Sequence, residues 1–172
     1  MQLNPDIDEF VPNKKISTGT HKRKGKIFLF NDKEVLASGI LLYTIKNKKK
    51  YFLLRKDKYN RWSDLGGKIE NKDEVLYDTL TRELLEETNN KIYHILNINN
   101  SYDTLKSWII KSNYKIIYNK SSKYLLFKIK INNNFNINNI INAENTIVEW
   151  KIIDKSTKIK LNPRIFKYYF KI

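Results

Sequence analysis

The chain has 172 residues, 41% of them hydrophobic, which is enough for one domain with a buried core. It contains no cysteine, which excludes disulfides, thiolate nucleophiles and cysteine-ligated zinc, and it has only two histidines. The 33 lysines and arginines exceed the 18 acidic residues by 15, and a field of this sign attracts polyanions such as nucleic acid.

The basic charge has a second explanation. Lysine, asparagine, isoleucine and tyrosine are all abundant, as expected from an A/T-rich genome, and an asparagine-rich tract occupies residues 132–142. The acids Asp6, Asp8 and Glu9 stand where a secretion signal needs an apolar run, and no apolar stretch is long enough to span a membrane. We therefore expect a soluble intracellular protein, located in the cytoplasm.

The N-terminal residues 1–24 lack apolar periodicity and end in a basic cluster, so they predict a loosely ordered arm that either binds RNA or aids solubility. Residues 25–172 are expected to form a single domain. Alternating or β-rich segments predict strands at 26–30, 33–45, 51–55, 65–70, 114–118, 123–131 and 146–153. Helical spacing and capping residues predict helices at 73–89, 101–111 and 163–169. Strands mixed with helices indicate an α/β fold.

The helix at 73–89 follows the glycine pair Gly66-Gly67. Asp73 is suited to cap its first turn, and Asn89 is suited to the left-handed conformation that ends many helices. Its apolar stripe is predicted to face the core and contains Val75, Leu76, Thr79, Leu80 and Leu84.

Three glutamates on this helix, Glu83, Glu86 and Glu87, share one face because they lie at positions i, i+3 and i+4. Like charges at that spacing weaken an isolated helix, and a bound cation would remove the conflict. Carboxylate oxygens suit Mg2+ or Mn2+, with water and substrate phosphate oxygens completing the coordination. The pattern therefore predicts phosphoryl chemistry, although a charged helix face can also be simply solvated.

The segment 67–90 resembles the Nudix box, in which glycine, glutamate, arginine and paired glutamates recur at fixed intervals. Matching positions are occupied by Gly67, Glu74, Arg82, Glu83, Leu84, Glu86 and Glu87. Six residues instead of five separate Gly67 from Glu74, and Asn89 and Asn90 replace the final glycine and aliphatic residue. The extra residue leaves open whether Glu74 or Asp73 plays the part of the first glutamate.

The resemblance implies a Nudix-like α/β/α sandwich with a mixed sheet, and a hydrolase that splits diphosphate bonds with Mg2+ or Mn2+. Glu86 and Glu87 would ligate the metal, together with the carbonyl of Gly66. Glu83 would be a further ligand or the general base, and Arg82 would hold the glutamates in place through Glu74. In some members of the family the base comes from a later loop, for which Glu144 and Glu149 are candidates.

Residues just before the box, and Lys68 at its start, suggest how a substrate binds. Arg55 sits where the family often places a basic residue, Tyr59 and Trp62 are candidates for stacking on a base, and Lys68 for contacting a phosphate. Aromatic residues beside a core strand are more often buried for packing than used for stacking, and Lys68 could equally face water.

Two substrates suit the pattern: the 5′ cap of mRNA, and a small nucleotide such as a nucleoside triphosphate, dinucleoside polyphosphate or nucleotide sugar. The charge favours capped RNA, as does the similarity of the SDLGGK segment and the composition to Nudix proteins of large DNA viruses. A different class remains open, a non-catalytic RNA-binding module on the same fold. The oligomeric state is not predicted.

Overall fold

The computed structural model describes residues 7–10, 16–21, 25–131, 141–143, 146–152 and 159–165. Its helices are Leu76–Thr88 (α1), Ile92–Leu96 (α2) and Tyr102–Lys111 (α3). Its strands are Ile7–Phe10 (β1), Ile16–His21 (β2), Gly25–Phe30 (β3), Lys33–Val35 (β4), Ala37–Lys46 (β5), Lys49–Lys56 (β6), Trp62–Ser63 (β7), Leu65–Lys68 (β8), Tyr114–Asn119 (β9), Tyr124–Lys130 (β10), Ile141–Ala143 (β11) and Thr146–Ile152 (β12).

The main sheet is mixed, as predicted, which confirms the α/β class. Its order is β1-β9-β10-β5-β6-β12-β11, with β7 added to β6 and β8 added to β5. The pair β10–β5 is parallel and the other pairs are antiparallel. A smaller sheet joins β2, β3 and β4. None of the described helices has the length and apolar character needed to cross a lipid bilayer.

Helix α1 packs on one face of the main sheet through the predicted stripe. Leu76, Leu80 and Leu84 are buried in a core shared with α3 and with alternate residues of β5, β6 and β10. Val75 was expected in this stripe but is 43% exposed, because it precedes the first helical turn. Burial of a leucine side chain contributes about 2 kcal/mol, so the stripe fixes α1 firmly over the sheet.

The helix begins later than predicted. Val75, not Asp73, is the N-cap residue, and the Asp78 carboxylate accepts hydrogen bonds from the backbone N–H groups of Glu74 and Val75. The end is as predicted, since Asn89 adopts a left-handed conformation with φ 49° and its N–H bonds the last turn.

The opposite face of the sheet carries a second apolar cluster. Phe52, Leu54 and Trp62 pack there with Ile165 from the segment 159–165, which runs across this face. The predicted helix from Pro163 to Tyr169 lies mostly outside the described residues, and its first residues, 163–165, form a turn and bend.

Most other elements lie close to their predicted positions. The predicted strand 33–45 is interrupted at Leu36, whose backbone N–H and carbonyl bond Lys123 and Ile69 instead. The short helix α2 was not predicted. The strands β1 and β2 fall within the predicted arm, and β1 pairs with β9 at the edge of the main sheet. The division of the chain into arm and domain stays a prediction.

Candidate active site

Arg82 is the centre of a buried ionic network on α1. The residue is 7% exposed, and its guanidinium donates to Asp73, to the carbonyl of Lys68 at 2.8 Å and to Glu83 at 2.7 Å. Burial alone would lower the pKa of Arg82, but hydrogen bonds to Asp73 and Glu83 raise it instead. A permanently charged donor with this many acceptors fixes the orientation of the helix relative to the loop before it.

Asp73, and not Glu74, holds Arg82. The Asp73 carboxylate accepts from Arg82 Nε at 3.3 Å and Nη2 at 3.0 Å, and also from the Thr79 hydroxyl and the Glu70 N–H. Burial would raise the pKa of Asp73, but these hydrogen bonds hold it below its ordinary value. Glu74 is exposed and lines a cavity of about 470 Å³. The prediction that Arg82 acts through Glu74 is therefore wrong, because Asp73 makes the contact with Arg82. The extra residue before the helix shifts this role by one position.

Glu87 is fixed against the glycine turn. Its Oε2 accepts the Gly66 N–H at 2.9 Å, and its Oε1 accepts Arg55 Nη1 at 2.6 Å. Burial raises the pKa of Glu87 to about 8, although the charges of Arg55 and Arg164 act in the opposite direction. Arg55, which was expected to touch substrate, therefore contacts a predicted metal ligand in this structure.

Glu83 lies directly against Gly67. A Cβ atom at position 67 would come closer than 3.0 Å to the Glu83 carboxylate, so the absence of a side chain makes room for it. Burial raises the pKa of Glu83, and the Arg82 hydrogen bond lowers it. A carboxylate with its pKa moved toward neutrality is suited to accept a proton.

Glu86 points toward the solvent side of the network. Its side chain is 56% exposed, its Oε2 lies 3.3 Å from Arg82 Nη1, and it lines the same cavity as Glu74. The three glutamates thus form an arc around Arg82 and the glycine turn, with Glu83 and Glu87 buried and Glu86 at the open end.

The carboxylate oxygens of this arc are ligands of the kind that a hard divalent cation prefers. Within the described contacts, Oε2 of Glu83 and Oε1 of Glu86 have no hydrogen bond to protein. Among the described residues, no group of three or more aspartate, glutamate, histidine or cysteine side chains is arranged to hold a metal ion by itself. An ion here would therefore draw part of its coordination from water and substrate, as Mg2+ commonly does. The Gly66 N–H is engaged by Glu87, and metal ligation by the Gly66 carbonyl stays a prediction.

A second buried network lies behind the glycine turn and was not predicted. Asp64, fully buried, accepts hydrogen bonds from Tyr124, from Ser63 at 2.9 Å and from Arg164 at 3.2 Å. A Cβ at Gly39 or Gly66 would collide with the Tyr124 hydroxyl, so both glycines are needed for this packing. Burial would lower the pKa of Arg164, but its neighbours Tyr124, Asp64 and Glu87 raise it instead. The sequence signal for this network is a single acid, Asp64, among the uncharged residues between Arg61 and Lys68.

The remaining predicted substrate residues lie in different environments. Trp62 is 8% exposed, and its ring is covered by Lys151 at 4.6 Å and Lys56 at 5.7 Å, so it packs in the second core and is not presented to a base. Lys68 is exposed, and its carbonyl accepts from Arg82. Tyr59 is 58% exposed.

Of the two alternative bases, Glu149 lies on β12 opposite Leu54 and pairs with Lys151. Glu144 is outside the described residues. Among the described contacts, Glu149 has none with the three glutamates of α1.

In comparisons with known proteins, no family model and no curated protein match this sequence. Two solved structures of C. elegans Ap4A hydrolase, one of them a binary complex, are similar to it. The binary complex is 20% identical, with a TM-score of 0.39, over 69% of this chain and 78% of that one. The other is 16% identical, with a TM-score of 0.39, over 69% of this chain and 81% of that one.

Proposed function

We propose that this chain is a Nudix-type pyrophosphohydrolase that uses Mg2+ or Mn2+ to cleave a diphosphate bond in a nucleoside diphosphate linked to another moiety. The proposal is carried by one observation: α1 places Glu83, Glu86 and Glu87 in an arc beside Gly66 and Gly67, with Arg82 bonded to two of the three.

The glutamates of the arc and the two arginines beside them have different roles. Glu86 and Glu87 would hold the divalent cation, which when bound would neutralise the pyrophosphate and acidify water near it. Arg82 keeps Glu83 and Glu86 in place, because its guanidinium is fixed in turn by Asp73 and the Lys68 carbonyl. Arg55 exchanges its contact with Glu87 for a phosphate oxygen; its Nε atom is buried without a hydrogen-bond partner among the described residues.

In the reaction, a water oxygen forms a bond to phosphorus in line with the phosphoanhydride oxygen, whose bond to phosphorus breaks. Glu83 accepts the proton of the attacking water, and the leaving phosphate carries away the bonding electron pair. Burial of Glu83, which raises its pKa, makes it a better proton acceptor than a solvated glutamate.

Two substrate classes fit this chemistry: capped RNA and small nucleotides. The formal charge of +15 favours RNA, because several cationic side chains can then contact phosphates. If RNA is the substrate, turnover falls steeply with added salt, since each phosphate contact releases counterions. Turnover of a small nucleotide depends less on salt.

The test is hydrolysis by Glu86→Gln and Glu87→Gln variants, measured on capped RNA and a nucleotide panel with products read by mass. We expect kcat to fall at least about a hundredfold, because each change removes a charge that holds the cation. Asp103→Asn, an exposed acid on α3, is the matched control and should retain activity. Equal turnover in all of these variants contradicts the proposal. RNA affinity without phosphate release from any diphosphate would instead support a non-catalytic RNA-binding module.

A further inference from the structure

The loop between β6 and β7 displays an exposed aromatic ring among cations. Tyr59 has the largest relative exposure of the big hydrophobic side chains described, at 58%, and the loop begins two residues after Arg55. Lys58 Nζ and Arg61 Cζ lie 5.2 Å and 4.8 Å from the Tyr59 ring centroid. We call Lys56, Lys58, Tyr59 and Arg61 the Tyr59 platform.

The loop is held in one conformation by its first residue. The Asp57 carboxylate accepts the N–H groups of Tyr59 at 2.9 Å and Arg61 at 3.0 Å, and Arg61 Nε at 2.8 Å. Asn60 adopts φ 60°, which closes the turn, and Asn162 donates to Asp57 from the segment crossing the second face. A ring presented on an ordered loop loses little conformational freedom when a ligand stacks on it.

The charge around the ring is positive. Asp57 is bonded to Arg61, and no acid in the described part of the chain forms an ion pair with Lys56 or Lys58. Lys151 lies over the Trp62 ring, as Lys56 does, and pairs with Glu149. An exposed ring with flanking cations is the arrangement by which proteins bind single strands, since bases stack on the ring and cations contact the backbone.

We propose that the Tyr59 platform binds single-stranded RNA, with a base stacked on Tyr59 and backbone phosphates contacted by Lys56 and Lys58. The proposal rests on the proposed function for the choice of RNA as substrate class. Arg55 and Lys56 are neighbours at the end of β6, where Arg55 contacts Glu87 of the arc and Lys56 lies over Trp62 on the opposite face of the sheet. An RNA bound to the platform would pass around this end of the sheet to reach the diphosphate that is cleaved.

The test measures binding of a fluorescent single-stranded RNA of twelve nucleotides by anisotropy, in EDTA so that no turnover occurs. Tyr59→Ala should weaken binding about tenfold or more, the range seen when one stacked base is lost, and Tyr59→Phe should keep most of the affinity. Ile110→Ala removes a 46% exposed apolar side chain from α3, outside the cavity that Glu86 lines, and is the control, which should bind like the native chain.

Charge is tested separately. Lys58→Ala should reduce the slope of log affinity against log salt by about 1, because one phosphate contact is lost. Lys111→Ala removes another exposed lysine, at the end of α3, and should leave the slope unchanged.

Equal affinities of Tyr59→Ala and Ile110→Ala overturn the proposal, as does the absence of RNA binding by the native chain. Neither result affects the hydrolysis proposal, which is measured on small nucleotides with the Glu86 and Glu87 variants. Conversely, RNA binding that depends on Tyr59 supports this platform even if those variants hydrolyse normally.

Discussion

Replacing Asp73 by alanine tests which acid anchors Arg82. The change removes the acceptor for two guanidinium nitrogens, the Thr79 hydroxyl and the Glu70 N–H, all at a residue only 2% exposed. Removing one partner of a buried ion pair costs about 3–5 kcal/mol. Arg82 keeps Glu83 and the Lys68 carbonyl, so we place the loss at the lower end, about 3 kcal/mol.

The loss should appear as a lower melting temperature. For a chain of this size, each kcal/mol shifts the midpoint by about 2–4 °C, so Asp73→Ala should melt about 6–12 °C below the native chain. Glu74→Ala, at an exposed neighbouring position, should change stability by less than about 0.5 kcal/mol. Circular dichroism melts of both variants at neutral pH make the comparison.

The stabilisation from the Asp73–Arg82 ion pair depends on pH. Because the pKa of Asp73 is lowered in the folded chain, its stabilisation is present above the unfolded pKa of about 3.9 and is lost as pH falls through the folded value. The difference between the native chain and Asp73→Asn should therefore shrink in strong acid. If Glu74→Ala instead costs as much as Asp73→Ala at neutral pH, the assignment of Asp73 as the anchor is refuted.

Two further predictions concern the arc of glutamates. Gly67→Ala should reduce hydrolysis by at least about tenfold, because its Cβ would come within 3.0 Å of the Glu83 carboxylate. The control, Ala37→Gly on the paired strand β5, should leave hydrolysis unchanged. Equal rates of hydrolysis in the two variants would contradict the close packing of Gly67 and Glu83. Mg2+ at about ten times its Kd should stabilise the fold by about 1.4 kcal/mol, read as a raised melting temperature. With the Mg2+ concentration held constant, this gain should be larger at pH 8.5 than at pH 6, because Glu87, with its pKa raised to about 8, must lose a proton to bind the ion. A gain independent of pH would argue against Glu87 as a ligand.

Local sequence patterns were sufficient to predict much of the candidate site. The helix, its Asn89 cap and the shared face of three glutamates follow from spacing within one short segment, so sequence was sufficient to predict them. The role of Asp73 depended on the path of the six-residue loop after Gly67, which spacing alone left open. The Glu87–Arg55 contact required the pairing of two segments 32 residues apart.

The second network could not be predicted for the same physical reason. Asp64 meets Tyr124 and Arg164 across 60 and 100 residues, and nothing in their local sequence marks them as partners. Trp62 shows the converse problem. Its place beside a glycine turn suggested that it stacks on a base of the substrate. Strand β7 pairs with β6 at Lys56, however, and the Trp62 side chain packs in the second core.

The most direct test of the account is Mn2+ binding, followed by electron paramagnetic resonance, in the native chain and in the double variant Glu86→Gln, Glu87→Gln. The native chain should bind the ion, and the double variant should lose at least about tenfold in affinity while its circular dichroism spectrum is unchanged, because two charged oxygen ligands are replaced. Equal Mn2+ affinity in the two proteins would show that the glutamate face of α1 is not a metal site.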